Sequence, residues 1–192
     1  RPYQISCIED LVAWSNMVDG NGVIYQNEKI VHLINKRTTF SGKYIELTRD
    51  LNFKSNYSYG DSTRTDFGDL NTDGTIETIK EELTKTDEGC IGFTPIGLEW
   101  YKRHFGGIFN GNDFEIRNIY INGKNSEKSY GLFGIARYGE IKNLTVKGII
   151  KATGIAAGLV GQIGTGENVV NCKNYCEIIS TENFAGGIIG NS

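Results

Sequence analysis

Three times between residues 131 and 190 the chain sets a short apolar pair between glycines: Gly131-Leu132-Phe133-Gly134, Gly158-Leu159-Val160-Gly161 and Gly187-Ile188-Ile189-Gly190. A second series keeps step with it. Glu115-Ile116-Arg117-Asn118 recurs as Glu140-Ile141-Lys142-Asn143 and, more loosely, as Asn168-Val169-Val170-Asn171. The copies lie about 25 to 29 residues apart, within the range of repeat proteins whose units stack. Each repeat reads as three short strands, in the second copy residues 140–146, 148–152 and 158–163. They alternate apolar with polar residues or glycine, and none holds enough apolar side chains to form a core alone. Equivalent strands must therefore stack, with Ile116, Ile141 and Val169 as one buried row and Leu132, Leu159 and Ile188 as another. The expected fold is all-β, a parallel β-helix. A leucine-rich repeat would need a leucine spacing and a helical half that are absent. The 25 glycines, beside only two prolines, suit corners and close backbone approaches, and they lack the triplet period of collagen.

The front of the chain differs. Ser6 with Glu9 three residues later has the form of a capping box. Ile8, Leu11, Val12, Trp14, Ser15 and Val18 then recur at helical spacing until Asp19-Gly20-Asn21-Gly22. A helix over residues 5–20 is expected to cap one apolar end of the stack. Residues 43–48 (KYIELT) alternate as a strand. The formal charge of −3 hides an uneven distribution: residues 61–88 carry nine acids against three bases, a net of −6. A mildly acidic chain of this kind lacks the concentrated Lys and Arg that nucleic-acid binding requires. No segment is long and apolar enough to span a bilayer as a helix. The reading is of one domain over residues 1–192, with an acidic insertion at 54–92 and repeats over 107–190. Because the sequence opens at Arg1 and closes just after the third glycine pair, it reads as a piece of a longer protein with its far end unfinished.

The glycine-paired copies, the E-I-[RK]-N strands, Phe93-Thr94-Pro95-Ile96-Gly97 and the run Phe105-Gly106-Gly107-Ile108-Phe109-Asn110-Gly111-Asn112 together resemble the GLUG-repeat regions of bacterial surface proteins. Such repeats also flank the catalytic domains of immunoglobulin A-cleaving surface peptidases. The resemblance covers most of the chain from Ile5, with the acidic segment as an insertion. It implies a right-handed β-helix located outside the cell or on the bacterial surface, and it implies no reaction.

Within the insertion, Asp69-Leu70-Asn71-Thr72-Asp73-Gly74-Thr75-Ile76-Glu77 has oxygen-bearing side chains at alternate positions and a glycine for the sharp turn, the first half of an EF-hand-like calcium loop. Lys80 stands where the bidentate Glu belongs, with Glu81 one place late. A Ca2+ site would draw on Asp69, Asn71, Asp73, Thr75, Glu77 and Glu81, with Asp66 as a further candidate. The competing reading is a solvated acidic loop whose Asp and Asn residues favour turns. Ile76, Ile79 and Leu83 fall on one face of an expected short helix.

Catalysis has little support in the sequence. Glu115 and Glu140 are the one carboxylate pair that could stack in adjacent copies, as acid–base work of a polysaccharide lyase or hydrolase would require. Neither H-E-x-x-H nor G-x-S-x-G occurs. His104 reads as a loop residue. Trp100, Tyr101, Tyr57, Tyr59, Tyr120, Tyr130 and Tyr138 are candidates for protein or glycan recognition, or for packing loops onto the stack. Cys7, Cys90, Cys172 and Cys176 read as buried thiols, with a Cys172–Cys176 disulfide the lesser alternative. The expected function is a non-catalytic structural, adhesive or ligand-binding module of a secreted or wall-attached bacterial protein. The alternative is a carbohydrate-active β-helix.

Overall fold

A computed structural model of the chain describes residues 2–19, 22–26, 29–34, 38–53, 66–68, 77–78 and 90–192. Strands dominate, lie mostly in parallel sheets and are accompanied by one helix among the described residues. The chain begins with β1 (Tyr3–Ile5) and α1 (Ile8–Asp19), followed by an antiparallel pair, β2 (Gly22–Gln26) and β3 (Lys29–Ile34). Next come β4 (Tyr44–Leu47), β5 (Leu51–Asn52), the short antiparallel pair β6 (Asp66–Gly68) and β7 (Glu77–Thr78), and β8 (Cys90–Gly92). Three successive passes of four strands complete the fold. The first is β9 (Ile108–Asn110), β10 (Glu115–Gly123), β11 (Ser129–Tyr130) and β12 (Phe133–Ala136). The second is β13 (Glu140–Lys142), β14 (Thr145–Ala152), β15 (Ile155–Ala157) and β16 (Val160–Ile163). The third is β17 (Asn168–Val170), β18 (Lys173–Ser180), β19 (Ala185–Gly186) and β20 (Ile189–Asn191).

Each strand of a pass pairs in parallel with its counterpart four strands later, giving sheets β1-β4-β9-β13-β17, β5-β10-β14-β18, β11-β15-β19 and β12-β16-β20. β8 pairs antiparallel with the end of β10 that β5 leaves free. The register aligns side chains of like character. Ile45, Phe109 and Ile141 form one buried row, Leu51, Ile116 and Val146 another, and Phe133 with Val160 a third, none more than 2% exposed. The glycine-paired copies stack as expected, since Phe133, Val160 and Ile189 are direct partners in neighbouring strands.

The other repeat series needs correction. Ile141 does pair with Val169, but its partner on the other side is Phe109, while Ile116 pairs with Val146. The two copies stand on opposite sides of the corner: E-I-R-N opens β10, after it, whereas E-I-K-N fills β13, before it, so like residues fall in different sheets. The first corner is also longer, with four residues between β9 and β10 against two between β13 and β14 and between β17 and β18. Each pass also has four strands rather than three. The chain turns at Asn143-Leu144, and Gly148 lies within β14 instead of marking a corner. Gly148 faces a bulge in β10 between Ile116 and Ile119, where a Cβ would come within 2.0 Å of the Ile119 carbonyl oxygen. Such an extra residue twists and bends a strand.

These corners are held by a ladder of amides. Asn171 Nδ2 donates to Asn143 Oδ1 at 2.8 Å, Asn143 Nδ2 to Asn110 Oδ1 at 3.0 Å, and Asn110 Nδ2 to the Tyr44 hydroxyl at 2.9 Å. Asn143 and Asn171 have φ of 51° and 50°, a left-handed conformation that asparagine tolerates better than other side-chain-bearing residues.

Helix α1 presents Ile8, Leu11, Trp14, Ser15 and Val18 to the interior. Trp14 meets Phe40, Phe105, Phe109 and Phe133 at ring-centroid distances of 5.4–6.3 Å, so the helix seals the aromatic end of the stack. Its cap is displaced by one residue from the expected box. The Cys7 carbonyl accepts the first helical bond from Leu11, which makes Asp10 the third helical residue, and Asp10 Oδ2 accepts from the amide and hydroxyl of Ser6 at 2.8 Å. Although burial opposes it, hydrogen bonding from Ser6 and Cys7 leaves the Asp10 pKa below its ordinary value. At the far side, the third pass turns Val170, Tyr175, Ile179 and Phe184 to solvent.

Replacing Asn143 by alanine removes two ladder bonds and leaves a Cβ-bearing residue without amide compensation at positive φ. We expect a loss of about 2–3 kcal/mol in urea unfolding, and a smaller loss for Asn143→Gly, which relieves the backbone.

Candidate functional site

Of the residues expected to hold calcium, Asp69, Asn71, Asp73, Thr75 and Glu81 lie outside the described residues, as does Asp66's expected neighbourhood from residue 69 to 76. Glu77 belongs to β7, in register with Gly68. Ile76, Ile79 and Leu83, expected on one face of a short helix, lie outside the described residues, and the described pair 77–78 is extended against β6. Among the described residues, no three of His, Cys, Asp and Glu converge. Glu115 and Glu140 occupy different sheets, so they do not stack. Glu115 takes a 2.7 Å bond from Lys147, and Glu140 is paired with Lys142 at 2.5 Å.

The structure does assemble an aromatic site. Upstream of the first full pass, Ile96 and Phe105 lie beside Phe133 and Ala136, so both flank the open edge of β12 as though one strand had been cut. The residues between them leave the sheet as a tight hairpin. Glu99 and Arg103 exchange backbone bonds of 2.8 and 3.1 Å, and their side chains form an ion pair across the same turn. Trp100, Tyr101 and Lys102 occupy the tip. Tyr101 is 83% exposed.

Arg137, just beyond β12, fixes this tip to the wall. Its Nη1 donates to the Trp100 carbonyl at 2.9 Å and its Nη2 to the Tyr138 hydroxyl at 2.7 Å. The guanidinium carbon lies 4.5 Å from the Trp100 ring centroid, 4.8 Å from that of Tyr138 and 5.9 Å from that of Tyr101. Cation–π attraction and two hydrogen bonds therefore hold one guanidinium among three rings. The next pass accommodates the arginine with Gly164, where a Cβ would meet Arg137 Cγ at 2.3 Å. His104 lies edge-on to Tyr138 at 6.3 Å. Burial and the nearby Arg137 charge lower its pKa, against a hydrogen bond to the Trp100 backbone.

The remaining aromatic candidates separate clearly. Tyr138 is exposed, Tyr120 is partly buried and bonded to Asn122, and Tyr57 and Tyr59 lie outside the described residues. Tyr130 is fully buried, with its hydroxyl accepting from the Asn125 amide at 3.1 Å, so it is a core residue and not a recognition residue. Cys172 and Cys176 are half-buried, as is Cys7, rather than fully buried as expected, and the Cys172–Cys176 disulfide does not form. Burial raises the pKa of both of these thiols, that of Cys176 to about 12, which leaves them poor nucleophiles.

Sequence reading identified Trp100, Tyr101 and Tyr138 but missed Arg137. The available signal was the basic–aromatic pair Arg137-Tyr138 ending a strand, with a glycine at position 164 one pass later. Comparison of the chain with protein-family models, curated proteins and solved structures finds no match.

One corner below this site carries a buried acid. Glu167 is 9% exposed, its Oε2 accepts from the Gly139 amide at 2.7 Å, and Oε1 has no hydrogen-bond partner. Burial, reinforced by the Glu140 charge and opposed by the Gly139 bond, raises its pKa from 4.5 to about 7. Between those values the folded state keeps a proton that the unfolded chain has released, so stability falls as pH rises through the window and then levels. We expect Glu167→Gln, which retains an acceptor for Gly139, to leave stability unchanged near about pH 4 and to raise it by roughly 1–3 kcal/mol near about pH 8 in denaturant titrations.

Proposed function

We propose that the chain is a non-catalytic, surface-exposed structural, adhesive or ligand-binding module, built as a right-handed parallel β-helix of the GLUG-repeat kind, within a secreted or wall-attached bacterial protein. The observation that carries this reading is the fixed display of Trp100 and Tyr101 on a braced hairpin anchored to a wall of parallel strands. A ring whose position is already paid for in folding binds without further ordering cost. The parallel pairing of each strand with its counterpart one pass later supports the β-helix. Its handedness and the extracellular or cell-surface location rest on the resemblance of the repeats. Partners of this reading are a host or cell-surface protein or a glycan. Nucleic acid is disfavoured by the net charge of −3. Among the described residues no helix is long and apolar enough to cross a membrane.

The alternative, a polysaccharide lyase or hydrolase, needs carboxylates facing one groove. The separation of Glu115 and Glu140 into different sheets, each beside a lysine, favours the binding module. Calcium held by Asp69, Asn71, Asp73, Thr75, Glu77 and Glu81 is part of the proposal, as the device that orders the acidic insertion.

Microspheres coated with the full chain should adhere to immobilised extracellular-matrix protein or bacterial wall glycan above an albumin control, and adhesion should drop with Trp100→Ala. Incubation with polygalacturonate, alginate, xylan or chitin should release no reducing ends and no unsaturated product. Product formation that Glu115→Gln or Glu140→Gln abolishes would establish the alternative. Calorimetric titration of chelator-stripped protein should show saturable heat and a raised melting temperature at millimolar calcium, both lost in Asp73→Asn. A flat titration with no thermal shift removes calcium from the reading.

A further inference from the structure

We infer that the cleft beside the Trp100–Tyr101 tip is a binding site for a neutral saccharide, which names a ligand class for the binding-module reading and rests on it. The cleft has a volume of about 370 Å³, within the range of roughly 300–1,000 Å³ typical of small-ligand sites. Its walls join the hairpin tip to Ser129 at the start of β11 and to Gln162 of β16.

Three properties of these walls select the ligand. The apolar C–H face of a sugar stacks best on an aromatic ring that does not move, and Trp100 is held through both its ring and its carbonyl by Arg137. Charges around the mouth are of both signs and interspersed, Glu99 and Glu127 with Lys102 and Lys128, while Glu99 is paired with Arg103 and the Arg137 guanidinium is occupied by the Trp100 and Tyr138 rings. Mixed signs do not make the single-sign lining by which a cleft selects a polyanion or a polycation. Finally, Gln162 supplies both amide donors and a carbonyl acceptor, and its contact with the Ser129 hydroxyl is long, at 3.5 Å. Such groups can exchange bonds with vicinal hydroxyls, which are themselves donors and acceptors.

Other ligand classes fit less well. The ring cage that would suit a quaternary ammonium is filled by the chain's own guanidinium. An extended peptide would seek an open strand edge, but Ile96 and Phe105 already bond to the edge of β12.

The test is an NMR titration of the isotope-labelled full chain with cellobiose, lactose and chitobiose in turn. At least one disaccharide should saturably shift the Trp100 indole and the amides of Tyr101, Ser129 and Gln162, with a Kd on the order of 1 mM. Trp100→Ala should weaken that binding about tenfold or more. Tyr101→Ala, at an exposed tip position where folding is not at stake, should weaken it severalfold. The inference is overturned by the absence of saturable shifts with all three probes, by shifts centred elsewhere, or by binding that neither variant weakens. Those outcomes leave the binding module to be decided by the adhesion assay. New anomeric signals from a cleaved disaccharide, lost with Trp100→Ala, would support the saccharide site while overturning the non-catalytic reading.

Discussion

Register between successive passes of the chain is the constraint on which everything else depends. Most strands of the three passes are two to four residues long, and such strands have no independent stability. They persist because each lies on a like strand of the previous pass, bringing Ile45, Phe109 and Ile141 into one dry row and Leu51, Ile116 and Val146 into another. A slip by one residue would turn those side chains outward. The amide ladder from Tyr44 through Asn110 and Asn143 to Asn171 opposes such a slip, because its bonds close only when the corners sit above one another. Apolar burial supplies the main attraction, and the ladder fixes the position.

The same logic explains how a recognition surface can grow from a repetitive wall. An excursion is tolerated where its two ends still satisfy the neighbouring strand. Ile96 and Phe105 do this beside β12, leaving the residues between them free to project as a hairpin. Arg137 then links that projection to the wall, and Gly164 in the next pass leaves space for the arginine stem. Glu167 shows the converse situation one corner away, where a carboxyl sits in the wall with one oxygen bonded to Gly139 and the other without a partner.

Much of this was legible from the sequence, and its failures have physical causes. The glycine-paired copies gave the right register because their closing glycines are sterically required. A Cβ on Gly134 would meet the Gly97 carbonyl oxygen at 2.4 Å, and one on Gly161 would meet the Tyr130 amide nitrogen at 2.6 Å. The E-I-[RK]-N copies misled because residue identity is not register. The first copy opens β10 after the corner and the second fills β13 before it, so the same letters lie in different sheets. The antiparallel β2–β3 pair was missed although Val23, Ile24, Tyr25, Ile30, Val31 and Leu33 form two apolar runs on either side of a polar stretch of sequence. Tyr130 could not be told from Tyr138, since both lie near strand ends and only packing buries the former.

The sequence alone determined that this chain folds from short strands that cannot stand singly, that a helix lies near its front, and that Trp100 and Tyr101 are candidates for recognition or for loop packing. Hydrophobic periodicity and helix-capping chemistry are local properties and can be read from neighbouring residues. Only the tertiary structure decided which copies lie in register, which tyrosines reach water, and that Arg137 joins Trp100 to Tyr138. Those outcomes depend on corner lengths and on contacts between residues far apart in the chain, and no local pattern encodes them.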